Sequence, residues 1–206
     1  MTTGTDVVSF ARQSWAGLRV LLVLTVLLGL AYPLAVTGVS QLALRWQANG
    51  SLVSSSGERV TSAADATGSL LVGQSFDGPQ WFHPRPSAAG DGYDSLASAG
   101  SNLGPLNEDL VATIEERRAT VAALEGVDPA DVPVDALTAS ASGLDPDISP
   151  AYAHLQAGRV ARENGLSVDS VSALVDAATV GRDLGFLGEP RVDVLRLNLA
   201  LQTMGS

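Results

Sequence analysis

Residues 20–44, VLLVLTVLLGLAYPLAVTGVSQLAL, run without a charge, and no other stretch of the chain is as apolar for as long. As a helix this run would extend roughly 37 Å, more than the roughly 30 Å of bilayer hydrocarbon, so it predicts one membrane span. Trp15 and Arg19 stand before it, and Arg45 and Trp46 after it. Amphipathic rings and snorkelling cations at both ends suit a helix anchored in lipid at two interfaces. A cleaved leader would carry a shorter apolar core, about 7–15 residues, followed by a small-x-small site, and neither mark is clear here. Pro33 removes one helical hydrogen bond and, with Gly29 close by, predicts a kink.

The periodicity changes after the span. Residues 47–68 are rich in Ser, Ala, Gly and Thr with no sustained period, which reads as a tether, with the folded domain beginning near Ser69. The apolar run 70–72 fits a short buried strand, and 76–104 is loop-rich. Asn107 ahead of Glu108 and Asp109, with Leu110, Ile114, Val121 and Leu124 near helical spacing and Gly126 behind, predicts a capped amphipathic helix over 108–125. Its run Glu115, Glu116, Arg117, Arg118 reads as a solvated face rather than a docking patch. Ser149 before Pro150 opens a helix that runs to Asn164 and stops at Gly165; a second, short helix follows Ser167 and ends near Gly181. Residues 192–201, VDVLRLNLAL, alternate like a strand. The predicted organisation is a short tail over 1–17, a transmembrane helix over 18–46, the tether over 47–68, and a soluble α+β domain over 69–206.

Charge divides the chain in the same places. The 206 residues sum to −10; residues 1–19 carry +1 and residues 45–206 carry −11. So acidic a domain lacks the cations that neutralise phosphates, which argues against a nucleic-acid partner. Cysteine is absent, and all 12 basic residues are Arg. Disulfides, thiolate nucleophiles and thiolate metal sites are thereby excluded, as are Schiff bases, Walker loops and Ser–Lys dyads. Of the two histidines, His83 lies in WFHPRP, where two prolines fix the backbone, and no G-x-S-x-G elbow accompanies it. His154 belongs to the helix after Pro150. Asp91 and Asp94, like Asp145 and Asp147, read as turn formers, since the twelve-residue calcium loop is missing. Positive charge ahead of the span leans the N-terminus towards the cytoplasm. The acidic domain would then lie outside, where its field could enrich cations within about 10 Å or simply keep it soluble. The residues alone describe a tethered binding or assembly domain, with a tethered hydrolase as the alternative.

Several strings together are more specific. GSLLVGQSF at 68–76, WFHPRPSA at 81–88, SNLGP at 101–105 with Asn107, PVD at 133–135, LTAS at 137–140, SGLDP at 142–146, ISP at 148–150 and GEPR at 188–191 occur in this order. They resemble the C subunits of Kdp-type potassium-transporting P-type ATPases, as does the single N-terminal span. Asp147, Ala99, Ala141 and Asp193 depart from the family pattern, in which a histidine, two glycines and an asparagine are expected. The resemblance implies an accessory, non-catalytic subunit in the cell membrane with its domain outside. Its partners would be a channel-like potassium-translocating subunit, a P-type ATPase subunit, a small helical subunit and membrane lipid. ATP and K+ would belong to the complex. The implied work is assembly and stabilisation, together with a chaperone role that raises the ATP affinity of the ATPase subunit. For that role the resemblance implies Gln156 as a nucleotide contact.

Overall fold

The computed structural model describes residues 3–204, so the outer ends of the expected tail and domain, residues 1–2 and 205–206, lie outside the described residues. The chain divides into two compact units, Met1–Asn49 and Gly50–Ser206.

The first unit is helical. α1 (Thr3–Val26) passes through a π-helical turn at Leu27–Ala31 into α2 (Tyr32–Ala43), and the short α3 (Arg45–Ala48) follows a break at Leu44. The stretch Val7–Ala43 is long and apolar enough to cross a membrane, and none of its most apolar window is buried within the molecule. The helix therefore starts well before the span expected at residue 18. Pro33 explains the π turn. It has no N–H for the carbonyl four residues back, and the backbone ahead of it widens so that the Tyr32 N–H donates to Leu27 O, five residues away. The Arg19 guanidinium lies 5.0 Å from the Trp15 ring centroid, one turn along the same helix. Arg45 and Trp46 belong to α3, beyond the break, where Asn49 Nδ2 donates to Gln41 Oε1 at 3.0 Å and to the Arg45 carbonyl.

The second unit is α+β. β1 (Leu52–Val53) pairs antiparallel with β2 (Gly68–Ser69), and β3 (Asp147–Ile148) with β4 (Val192–Asp193). α4 (Glu108–Glu125) lies between the two pairs, α5 (Pro150–Asn164) and α6 (Val168–Ala178) lie between β3 and β4, and α7 (Val194–Met204) is the last described element. α6 packs against both α5 and α7. The core gathers Phe82, Leu137, Ile148, Val160, Val175, Leu197 and Leu201.

Caps fix these helices where the sequence predicts them. Asn107 Oδ1 accepts from the Asp109 and Leu110 N–H groups, Ser149 Oγ from Tyr152 and Ser167 Oγ from Ser170. Gly126 and Gly165 close α4 and α5 in the left-handed region, at φ 71° and 67°.

Four expectations change. Ser51 and Val53 are buried and β1 pairs with β2, so 50–68 belongs to the folded unit rather than forming a tether. Residues 70–72 form no strand, and Leu71 is exposed. Residues 194–204 are helical. Val194, Leu197, Asn198 and Leu201 all face the core at i, i+3, i+4 and i+7, so a polar residue on the buried face made the segment read as alternating. Finally, α4 is not merely solvated along its charge run: Arg117 Nη1 donates to Leu137 O at 2.9 Å and Arg118 Nη1 to Pro129 O at 3.3 Å.

Candidate functional site

Segment 79–85 carries no regular secondary structure, yet Phe82 within it is fully buried. A buried backbone must find hydrogen-bond partners, and here they are side chains. Asn198 of α7 accepts the Phe82 N–H at 2.9 Å and donates to the Phe82 carbonyl at 3.0 Å. Gln156 of α5 repeats the pattern one residue on, accepting the His83 N–H at 2.7 Å and donating to the His83 carbonyl at 3.0 Å. Two amide side chains thus pair with successive residues as a neighbouring strand would. Asn164 Nδ2 adds a bond to the Gln80 carbonyl at 2.8 Å.

Arg159 sits one turn after Gln156 and completes the clamp. Its Nη1 donates to the carbonyls of Pro79 and Trp81, its Nη2 to Gln156 Oε1 at 2.9 Å, and its Nε to both carboxylate oxygens of Glu125 at 3.0 and 3.1 Å. Burial pushes the Glu125 carboxyl up against the pull of Arg159. Gln156 is 0% exposed, its oxygen accepts twice and its nitrogen donates to His83. In this arrangement Gln156 does not fit the nucleotide contact expected of it: it is sealed inside the domain and is part of the clamp.

The histidines are likewise engaged. His83 Nε2 lies 2.9 Å from the Gly78 carbonyl, and burial, with Arg159 nearby, lowers its pKa. His154 Nε2 lies 3.0 Å from Asp176 Oδ1. Asp94 and Asp145 each accept the N–H two residues on, as turn formers do. Among the described residues, no group of three or more His, Asp or Glu is placed to hold a metal ion.

The motifs at 142–146 and 101–105 have different situations. The first is built into the fold. Ser87 Oγ donates to Gly143 O at 2.7 Å, Gly73 N to Leu144 O at 2.8 Å, Arg85 Nη1 to Asp145 Oδ2 at 2.9 Å and Val194 N to Pro146 O at 3.0 Å. Gly143, at φ 67°, leaves no room for a Cβ, which would lie 2.7 Å from Ala89 N and Ala99 O. Residues 101–106 are instead exposed throughout, with Leu96 and Leu106 at 96% and 94%.

The family described as "KdpC: K+-transporting ATPase, c chain" matches residues 14–203. The chain belongs to this family. A relative from Kineococcus radiotolerans, named Potassium-transporting ATPase KdpC subunit, is 56% identical over 192 residues, covering 93% of this chain and 94% of its own. Relatives of the same name from Mycobacterium tuberculosis are 52% identical over 195 residues, covering 94% and 99%. One from Caulobacter vibrioides is 55% identical over 178 residues, covering 86% of each. Family membership thus covers both units, the apolar helix as well as the clamped domain.

Glu125, Arg159 and Asn198 escaped sequence reading, because each is a polar residue at a core-facing position. One signal was available. Gln156 and Arg159 share a helical face with Ala153 and Val160, so the apolar stripe of α5 has two polar members that need partners.

Proposed function

We propose that this chain is a non-catalytic accessory subunit of an ATP-driven potassium importer, holding the other subunits in a stable assembly. The observation that carries this reading is the contrast between the two motifs. Residues able to do chemistry are engaged in holding the domain together, while the 96–106 loop turns three leucines outward. Exposed apolar side chains of this kind suit contact with a protein partner. The absence of Lys supports the non-catalytic part, since the D-K-T-G-T phosphorylation motif needs one. The partners on this reading are a channel-like subunit, a P-type ATPase subunit and a small helical subunit, with ATP and K+ handled by the complex. Any gain in ATP affinity would pass through subunit contacts, because Gln156 is enclosed. On this reading the N-terminus lies in the cytoplasm and the acidic domain outside, with Trp15, Arg19, Arg45 and Trp46 as interface anchors.

Purification of the tagged full chain from potassium-starved native membranes in mild detergent tests the assignment. Co-purification of a P-type ATPase subunit and a channel-like subunit, with potassium-stimulated ATP hydrolysis, is the expected result. A chain that emerges alone while intact partners remain in the membrane would overturn it. Orientation is tested separately by Ala177→Cys, an exposed position on α6 outside the 96–106 loop, which a membrane-impermeant maleimide should label on intact spheroplasts.

A further inference from the structure

β3 and β4 join the starts of α5 and α7, and they set two acids against each other. The pair runs antiparallel with Asp147 opposite Asp193 and Ile148 opposite Val192. One residue further along, Val194 N donates to Pro146 O at 3.0 Å, which marks that position as hydrogen-bonded. Hydrogen-bonded and non-hydrogen-bonded positions alternate in an antiparallel pair, so Asp147 and Asp193 occupy the narrow position. There, facing Cα atoms approach to about 4.5 Å and both side chains leave on the same face. Two like charges placed directly opposite one another oppose the pairing.

The surrounding groups compensate these acids unequally. Asp147 Oδ2 lies 3.4 Å from Arg191 Nε, but the same guanidinium also reaches Asp183 at 3.6 Å. Asp193 Oδ1 accepts the Arg196 N–H at 2.8 Å in the first turn of α7. Asp145, ahead of β3, accepts the Asp147 N–H and pairs with Arg85. From the turn at Val134–Ala136, Asp135 holds Ser149, and Glu189 lines the same recess as Asp147. Arg182 pairs with Glu189, and the carboxylates around the joint still outnumber the guanidinium groups of Arg85, Arg182, Arg191 and Arg196.

We propose that Asp147 and Asp193 work as one proton-binding unit. In mildly acidic surroundings the pair holds a proton and the joint between β3 and β4 is tight; in neutral surroundings both ionise and the joint loosens. Burial first, and the facing Asp147 with it, pushes the Asp193 carboxyl up to about 6 against its hydrogen bond from Arg196. Burial and Asp145 push Asp147 up as well, against Arg191. A carboxyl raised in the fold adds stability that is complete below its unfolded value near 3.9 and is lost as pH rises through about 6.

The test is a titration of the full chain in detergent micelles with carboxyl-labelled aspartate, followed by NMR from about pH 8 to pH 3. The two resonances should move in the same two steps, the upper one near pH 6. Asp147→Asn should lower the Asp193 midpoint by about one unit. Asp193→Asn, which keeps an oxygen for the Arg196 N–H, should abolish the upper step. The thermal stability of the wild type relative to Asp193→Asn should rise as pH falls from about 7.5 to about 5.5. Two independent titrations near pH 4 would overturn the proposal. So would an Asp193 midpoint that ignores Asp147→Asn. Should either variant fail to fold, the wild-type titration still decides between coupled and independent acids.

Discussion

Arg159 Nε lies 3.0 Å from Glu125 Oε1, with both side chains only 1% exposed. The pair ties the last turn of α4 to the middle of α5, and through Arg159 to the carbonyls of Pro79 and Trp81. Removing one member of a buried pair leaves a charge without a counter-ion, which costs about 3–5 kcal/mol. Glu125→Leu should therefore destabilise the domain by about that amount, and Glu125→Gln, which still accepts from Nε, by less. Urea unfolding of the full chain in micelles, followed by near-ultraviolet circular dichroism, measures both. A loss for Glu125→Leu of under about 1 kcal/mol would mean that the pair is solvated and the clamp open.

Gln156 makes a second prediction because it separates a structural role from a nucleotide contact. Gln156→Ala strands the His83 N–H and carbonyl, at about 1–3 kcal/mol for each buried group left unpaired. The melting temperature should fall with no nucleotide present. Nucleotide should not raise the melting temperature of the isolated wild-type chain. ATP-dependent stabilisation that vanishes in a Gln156→Glu chain of unchanged nucleotide-free stability would reverse this reading.

Much of this was legible in the sequence, and the parts that were not share a cause. Asn107, Ser149, Ser167, Gly126 and Gly165 act within one turn of their own positions, so their caps and stops could be read locally. The uncharged run from residue 20 needed no tertiary knowledge either. Asn198, Arg159 and Glu125 act on residues 34 to 116 positions away, and their polarity hides the apolar faces to which they belong. The segment 50–68 misled for a related reason. Its small polar composition matches a linker, whereas its order comes from pairing with Gly68 and Ser69 and from burial of Val53. The resemblance to the family identified the chain more securely than its periodicity did, but it gave Gln156 a role that the packing does not support.

His83 provides a pH dependence of the opposite sign to that of the aspartate pair. Burial lowers its pKa below the usual 6.5, so the folded ring resists the proton that the unfolded chain accepts. Stability then falls as pH drops below about 6.5, because the unfolded state binds more protons there. His83→Gln, which can still donate towards Gly78 O, should flatten this acid loss. Unfolding free energies of both proteins at about pH 7.5, 6.5 and 5.5 would show it as a difference that widens with acidity. Parallel curves would mean that His83 is charged or solvated in the fold.

The exposed loop offers the most direct test of assembly. Leu96, Leu103 and Leu106 are 96%, 41% and 94% exposed and none belongs to the core, so replacing all three by Ser removes apolar surface without opening a cavity. Their effect on the stability of the chain should stay within about 0.5 kcal/mol each, as for surface substitutions in general. If the loop seats against another subunit, the same change strips buried contacts from an interface, where central apolar anchors carry most of the binding energy. The triple variant should thus melt close to the wild type in micelles yet pull down markedly less of the P-type ATPase and channel-like subunits from native membranes. Gly143→Ala is the useful contrast, since it strains the internal motif and should lower the melting temperature first. Undiminished co-purification with the triple variant would move the contact elsewhere on the domain or to the apolar helix, where substitutions along Val7–Ala43 would then show the loss.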